Sequence, residues 1–103
     1  MISQSFIKAL QYELMREQAG ALGRAGSKLE SALQNYHNFI AKFGSNDTAQ
    51  IDILLDDIAA KMWAFALQRE LTGFHHDNIE WIRSTLDIPD AALGRLGART
   101  AKG

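Results

Sequence analysis

One cluster of side chains in this sequence has the residue types and spacing to do chemistry. His75, His76 and Asp77 are consecutive, and Glu80 follows three residues after Asp77. Imidazole and carboxylate groups are common ligands of divalent metals. His76 and Glu80 are four residues apart, a spacing that places two side chains on one side of a helix. One hypothesis is therefore a metal- or small-ligand-binding site at His75, His76 and Glu80.

A structural interpretation of the same residues is simpler. Asp77 and Glu80 form a capping box, the pattern that begins many helices, and the two histidines fill the turn between Gly73 and Asp77. A metal site needs further ligands, and only His37 and scattered carboxylates remain. The sequence predicts no catalytic residue, no cofactor and no resident metal.

A second functional hypothesis concerns residues 82–96. A short helix, a turn with Pro89 and another short helix have the rhythm of a helix-turn-helix, which would make the chain a weak DNA-binding regulator. The second helix of this pair contains Asp90, Arg95 and mostly Ala and Leu. A formal net charge of −1 provides no electrostatic footprint for nucleic acid, so the charge balance argues against this alternative.

The elements that must position these residues centre on the segment 51–71, which has apolar residues on two sides at helical spacing. The main stripe contains Ile51, Leu54, Leu55, Ile58, Met62, Phe65 and Ala66. A second, thinner stripe contains Ile53, Ala60, Ala64, Leu67 and Leu71, with Trp63 nearby. A helix with two apolar stripes lies between neighbours, so this segment is predicted to be the central helix. Within it, Leu54, Ile58, Met62 and Phe65 are candidates for a subunit interface.

Five helices are predicted in all. The first begins near Ser3 or Ser5 and ends at Gly26, and the second covers about 28–43 and ends at Gly44. The recurring Gly20, Gly23 and Gly26 also allow a different interpretation, in which small residues let two helices approach closely. The remaining helix boundaries follow from local signals: Asp47 and Gly73 for the third helix, Asp77 for the fourth, and Pro89 to about Leu96 for the fifth.

Composition supports this all-α architecture of three longer helices and two short ones, arranged like a bundle. The chain has 103 residues, one Pro and no Val, and 47% of its residues are hydrophobic. We expect one helical domain over 1–97 and a frayed tail over 98–103. The absence of Cys suits a reducing compartment, and no secretory signal or membrane-length apolar run is present. These features favour a cytoplasmic location and no membrane association.

Several segments together resemble a family of small all-helical bacterial proteins with no assigned activity. These segments are LGRAG at 22–26, LESAL at 29–33, MWAFALQRELTG at 62–73 and IPDAALGRLGA at 88–98. The resemblance implies the all-helical fold and the order of the helices. It implies no catalytic residues.

Two predictions complete the analysis. Arg69 is expected to be either a snorkelling side chain or a buried ion-pair partner, and Glu70 is expected to pair with Arg16, Arg24 or Arg83. The function that we expect is a non-enzymatic structural or interaction module that forms a homodimer, because one short chain has few elements to cover two apolar stripes. A different, unidentified protein could also cover them.

Overall fold

The computed structural model describes residues 3–75 and 77–102, with side chains described as far as Leu96. In this part of the chain there are four helices and no strand, so the predicted all-α class is confirmed. The helices are α1 (Gln4–Phe43), α2 (Thr48–Thr72), α3 (Asn78–Thr85) and α4 (Asp90–Lys102). The predicted count of five is wrong by one. The expected frayed tail over 98–103 lies outside the residues whose side chains are described and stays a prediction.

The error in the helix count arises at the three glycines. A helix end at Gly26 and a new helix from about residue 28 were predicted, but α1 is one helix of 40 residues that passes through Gly20, Gly23 and Gly26. A Cβ atom on Gly26 would lie 3.3 Å from Cζ of Phe65 in α2. This glycine therefore allows α1 and α2 to approach closely, and the packing offsets its low helix propensity of about 1 kcal/mol relative to Ala. The alternative interpretation of the small residues is confirmed at this position.

Most other helix ends follow the predicted local signals, but α4 continues past its predicted end near Leu96 to Lys102. Oδ1 of Asp47 accepts a hydrogen bond from the backbone N–H of Gln50 at 3.1 Å. Oδ1 of Asp77 accepts one from the N–H of Glu80 at the same distance, which confirms both aspartates as N-caps. Gly44 and Gly73 end α1 and α2 with φ values of 74° and 110°, a conformation that favours glycine.

Helix α2 is the centre of the described fold, as predicted. It packs against α1 on one side and against α3 and α4 on the other, and these are the only pairs of described helices in contact. The buried apolar residues come from all four helices and the α3–α4 connection: Leu29, Ala32, Leu33, Leu55, Ile58, Ala59, Met62, Ala66, Ile82, Ile88, Ala92 and Leu96. The core therefore lies between α2 and α1 and between α2 and the two short helices.

The two long helices form an antiparallel hairpin of unequal arms. Gly26 lies 17 residues before Phe43, and its contact Phe65 lies 17 residues after Thr48, so both residues are at the same distance from the turn. By this pairing the last residue of α2 is level with about residue 19 of α1. Residues 4–18, which we call the arm, therefore extend about 22 Å beyond the hairpin at 1.5 Å per residue. The arm accounts for the molecule's long dimension of 65 Å.

Candidate interaction surface

The arm displays apolar side chains that no other described helix covers. Phe6, Ile7, Leu10 and Leu14 lie on one side of α1 at helical spacing, and we call them the arm stripe. Between 39% and 60% of each residue's surface is exposed. No buried residue occurs in α1 before Leu29. An amphipathic helix normally covers such a stripe against a neighbour, and within the described chain this stripe has none.

The two predicted stripes of α2 have different environments. The main stripe faces the other helices: among the predicted interface candidates, Ile58 and Met62 are fully buried, and Leu54 and Phe65 are half-buried. Ile58 and Met62 belong to the core of one chain, and Phe65 packs against it. The thinner stripe, which we call the outer stripe, is exposed along most of its length. Ile53, Trp63, Leu67 and Leu71 each leave between 45% and 63% of their surface accessible.

A groove of about 330 Å³ lies beside the C-terminal half of the outer stripe, between α2 and α3. Its apolar lining comes mainly from Trp63, Leu67 and Ile79, and Ala66 forms part of it. The polar lining residues are Glu70, Asp77 and Asn78. Together with Leu71, the groove extends the exposed apolar surface of α2 sideways onto α3. This extended surface, which we call the platform, begins at Trp63 and ends at Leu71.

Arg69 fixes α3 against the end of α2 behind this groove. The Cζ atom of its guanidinium lies 3.6 Å from the ring centroid of Trp81 and 4.5 Å from that of Phe74. Its Nε donates a 2.8 Å hydrogen bond to Oδ1 of Asn78. The Nδ2 group of Asn78 donates to the carbonyl oxygen of Phe74 at 2.7 Å and to Oε2 of Glu70 at 3.4 Å. The buried Arg69 is therefore held by two aromatic faces and an amide, an arrangement that sequence reasoning did not predict.

The predicted ion pair of Glu70 with an arginine is wrong. Oε1 of Glu70 instead lies 2.9 Å from Nδ1 of His75. The three candidate arginines have other neighbours: Arg24 pairs with Glu17, Arg83 pairs with Glu80, and Arg16 lies over the ring of Tyr12. All three arginines are exposed, and each contacts a residue of its own helix.

Two of the proposed metal ligands, His75 and Glu80, each contact a different neighbouring residue. His75 contacts Glu70, and both carboxylate oxygens of Glu80 accept hydrogen bonds from Arg83. This hydrogen bonding to the Arg83 guanidinium lowers the pKa of Glu80 below its ordinary value. His76 lies outside the described residues. Within the residues that are described, no group of three or more His, Cys, Asp or Glu side chains is placed to hold a metal ion.

The predicted helix-turn-helix segment packs against α2. Ile82, Ile88 and Ala92 belong to the buried core. Arg95 donates hydrogen bonds to Asp52 at 2.7 Å and to Asp56 at 3.3 Å, and so connects α4 to α2. DNA binding by this segment stays a prediction. Arg95, the basic side chain of its second helix, contacts the carboxylates of Asp52 and Asp56.

None of the described helices has the length and apolar character needed to cross a membrane.

Comparisons with known proteins identify a family without an assigned activity. No curated protein and no solved structure is significantly similar to the chain. Residues 3–103 match a family described as a family of unknown function, DUF6665, which confirms the expected resemblance to an uncharacterised family. The chain belongs to this family of unknown function.

Proposed function

We propose that this chain is a non-enzymatic, self-associating structural or interaction module that forms a homodimer in the cytoplasm. The observation that carries the proposal is the arm stripe. Four large apolar side chains extend beyond the hairpin, on a part of α1 that packs against no other described helix. The absence of Cys from the sequence suits the proposed compartment.

The exposed area is close to what a stable dimer needs. A large apolar side chain has on the order of 200 Å² of surface, so half-exposed side chains leave about 100 Å² each. The arm stripe leaves about 400 Å² by this estimate, and Trp63, Leu67 and Leu71 leave about 300 Å² more. A standard protein interface covers about 800 Å² per partner. A symmetric dimer in which each copy contributes both surfaces would cover about 700 Å² per partner by this estimate, close to that size.

Light scattering coupled to size exclusion, over a dilution series, tests the proposal. The wild-type protein is expected to elute with twice the 11.4 kDa mass of one chain. The double variant Leu10→Asp/Leu14→Asp is expected to elute with the mass of a single chain, because a charge on the arm stripe would have to be desolvated in the interface. Its circular dichroism should stay helical, since the arm contacts no other described helix.

Tyr12→Asp is the matched control. Tyr12 is also an exposed, large side chain of the arm, but at about 100° per residue it lies on the opposite side from Leu10. This variant is expected to remain a dimer. A wild-type protein that has the mass of one chain at every concentration would refute self-association.

A further inference from the structure

We infer that the arm of one copy docks onto the platform of a second copy, running parallel to its α2 helix. This inference rests on the proposed function and specifies the partner surface. The arm cannot reach the platform of its own chain, because α1 is one continuous helix that packs against a different side of α2. A second copy supplies both the missing arm and a platform to receive the first.

The two surfaces have matching lengths. The arm stripe from Phe6 to Leu14 and the platform from Trp63 to Leu71 each cover eight residue steps, which is about 12 Å along a helix. In both segments, large apolar residues recur at four-residue intervals. The groove between α2 and α3, with its volume of about 330 Å³, can receive an aromatic side chain such as that of Phe6.

The direction of the hairpin determines the pairing. The arm extends beyond Gly73, at the open end of the hairpin. A second copy that approaches this open end inserts the N-terminal end of its own arm first. Phe6 then lies beside Trp63, Leu10 beside Leu67 and Leu14 beside Leu71. Because the exchange is reciprocal, the assembly closes on itself with two-fold symmetry and leaves neither surface uncovered.

Disulfide cross-linking tests this geometry, since the chain has no native Cys. Leu10→Cys protein is mixed with Leu67→Cys protein in a glutathione redox buffer, and covalent dimers are identified by mass spectrometry. Both positions are exposed, so the variants should fold like the wild type. We expect the mixed dimer to dominate, because a disulfide requires Cα atoms within about 7 Å.

Ile53→Cys provides the matched control on the same stripe. Ile53 is as exposed as Leu67 but lies 14 residues earlier in α2, about 21 Å away. Leu10→Cys should not cross-link to it. Leu10→Cys should not cross-link to itself either, because the register above separates the two copies of residue 10 by about 21 Å.

The alternative outcomes distinguish this inference from the proposed function. Self-cross-linking of Leu10→Cys would indicate that two arms pair with each other, and self-cross-linking of Leu67→Cys would indicate that two platforms meet. If light scattering shows a dimer but no mixed disulfide forms, the arm must contact a surface other than the platform. Each of these results overturns the arm-to-platform docking while self-association stands. A monomeric wild-type protein overturns both.

Discussion

Replacing Arg69 with methionine should weaken the attachment of α3 to α2. Methionine keeps the length and apolar character of the side-chain stem but removes the charge and the hydrogen-bond donor. The variant therefore loses the contact of the guanidinium with the Trp81 ring, where Cζ lies 3.6 Å from the centroid. It also loses the 2.8 Å hydrogen bond to Asn78.

The expected cost follows from these contacts. A desolvated cation–π contact contributes about 1–2 kcal/mol, and a hydrogen bond from a charged donor contributes about 1.5–3 kcal/mol. The thioether recovers part of this by contacting the rings, which leaves a net loss of about 3 kcal/mol. For a chain of this size, 1 kcal/mol corresponds to roughly 4–8 °C in the unfolding temperature, so Arg69→Met should unfold about 12–24 °C below the wild type.

Urea denaturation at one fixed protein concentration measures the loss, followed by circular dichroism and by the fluorescence of the two tryptophans. Arg69→Lys should have an intermediate stability, since an ammonium group keeps the charge but cannot stack its plane on Trp81. Arg24→Met is the control: the pair of Arg24 with Glu17 is exposed and should contribute less than about 1 kcal/mol. An Arg69→Met variant within about 1 kcal/mol of the wild type would refute the assigned role of Arg69.

Two further pairs of substitutions test the continuous α1 helix and the position of the core. Gly23→Ala should raise the free energy of unfolding by about 1 kcal/mol, while Gly26→Ala should gain less, because its Cβ would lie 3.3 Å from Phe65. Denaturant titration measures both, and a destabilised Gly23→Ala variant would contradict a helix at this position. Ile58→Asp should lose its helical circular dichroism, because Ile58 is fully buried and an unpaired charge there costs several kcal/mol. Ile53→Asp, on an exposed site, should keep it; equal stability of the two variants would contradict the placement of the core.

Local signals predicted most helix ends because the residues that form these ends are close in sequence. Asp47 and Asp77 each cap a backbone N–H three residues away, and Gly44 and Gly73 adopt a positive φ within one residue of the helix end. The same local signals failed near Leu96, which α4 passes, and at Gly26. Gly26 is favoured because it packs against Phe65, which lies 39 residues away. No sequence pattern near Gly26 indicates this contact.

The surface features were predicted in part. Helical spacing identified both stripes of α2, but spacing cannot show which stripe faces the other helices. That depends on the directions from which α1 and α4 approach. The environment of Arg69 was missed for a similar reason. Its partner Trp81 lies on the next helix, and the turn that brings the two together includes a left-handed residue, Gly73.

The continuity of α1 also changes the thermodynamics of the arm. A separate helical peptide of about 15 residues is marginal in water, because the first turn must fix several residues for a single hydrogen bond. The half of α1 that packs against α2 already supplies this nucleus, so the arm extends an existing helix by propagation alone. Its helicity is expected to decrease gradually toward the unpacked end, with Gly20 and Gly23 as the weakest points near its base. A partner would therefore meet a preformed helix, and docking would require little further ordering of the chain.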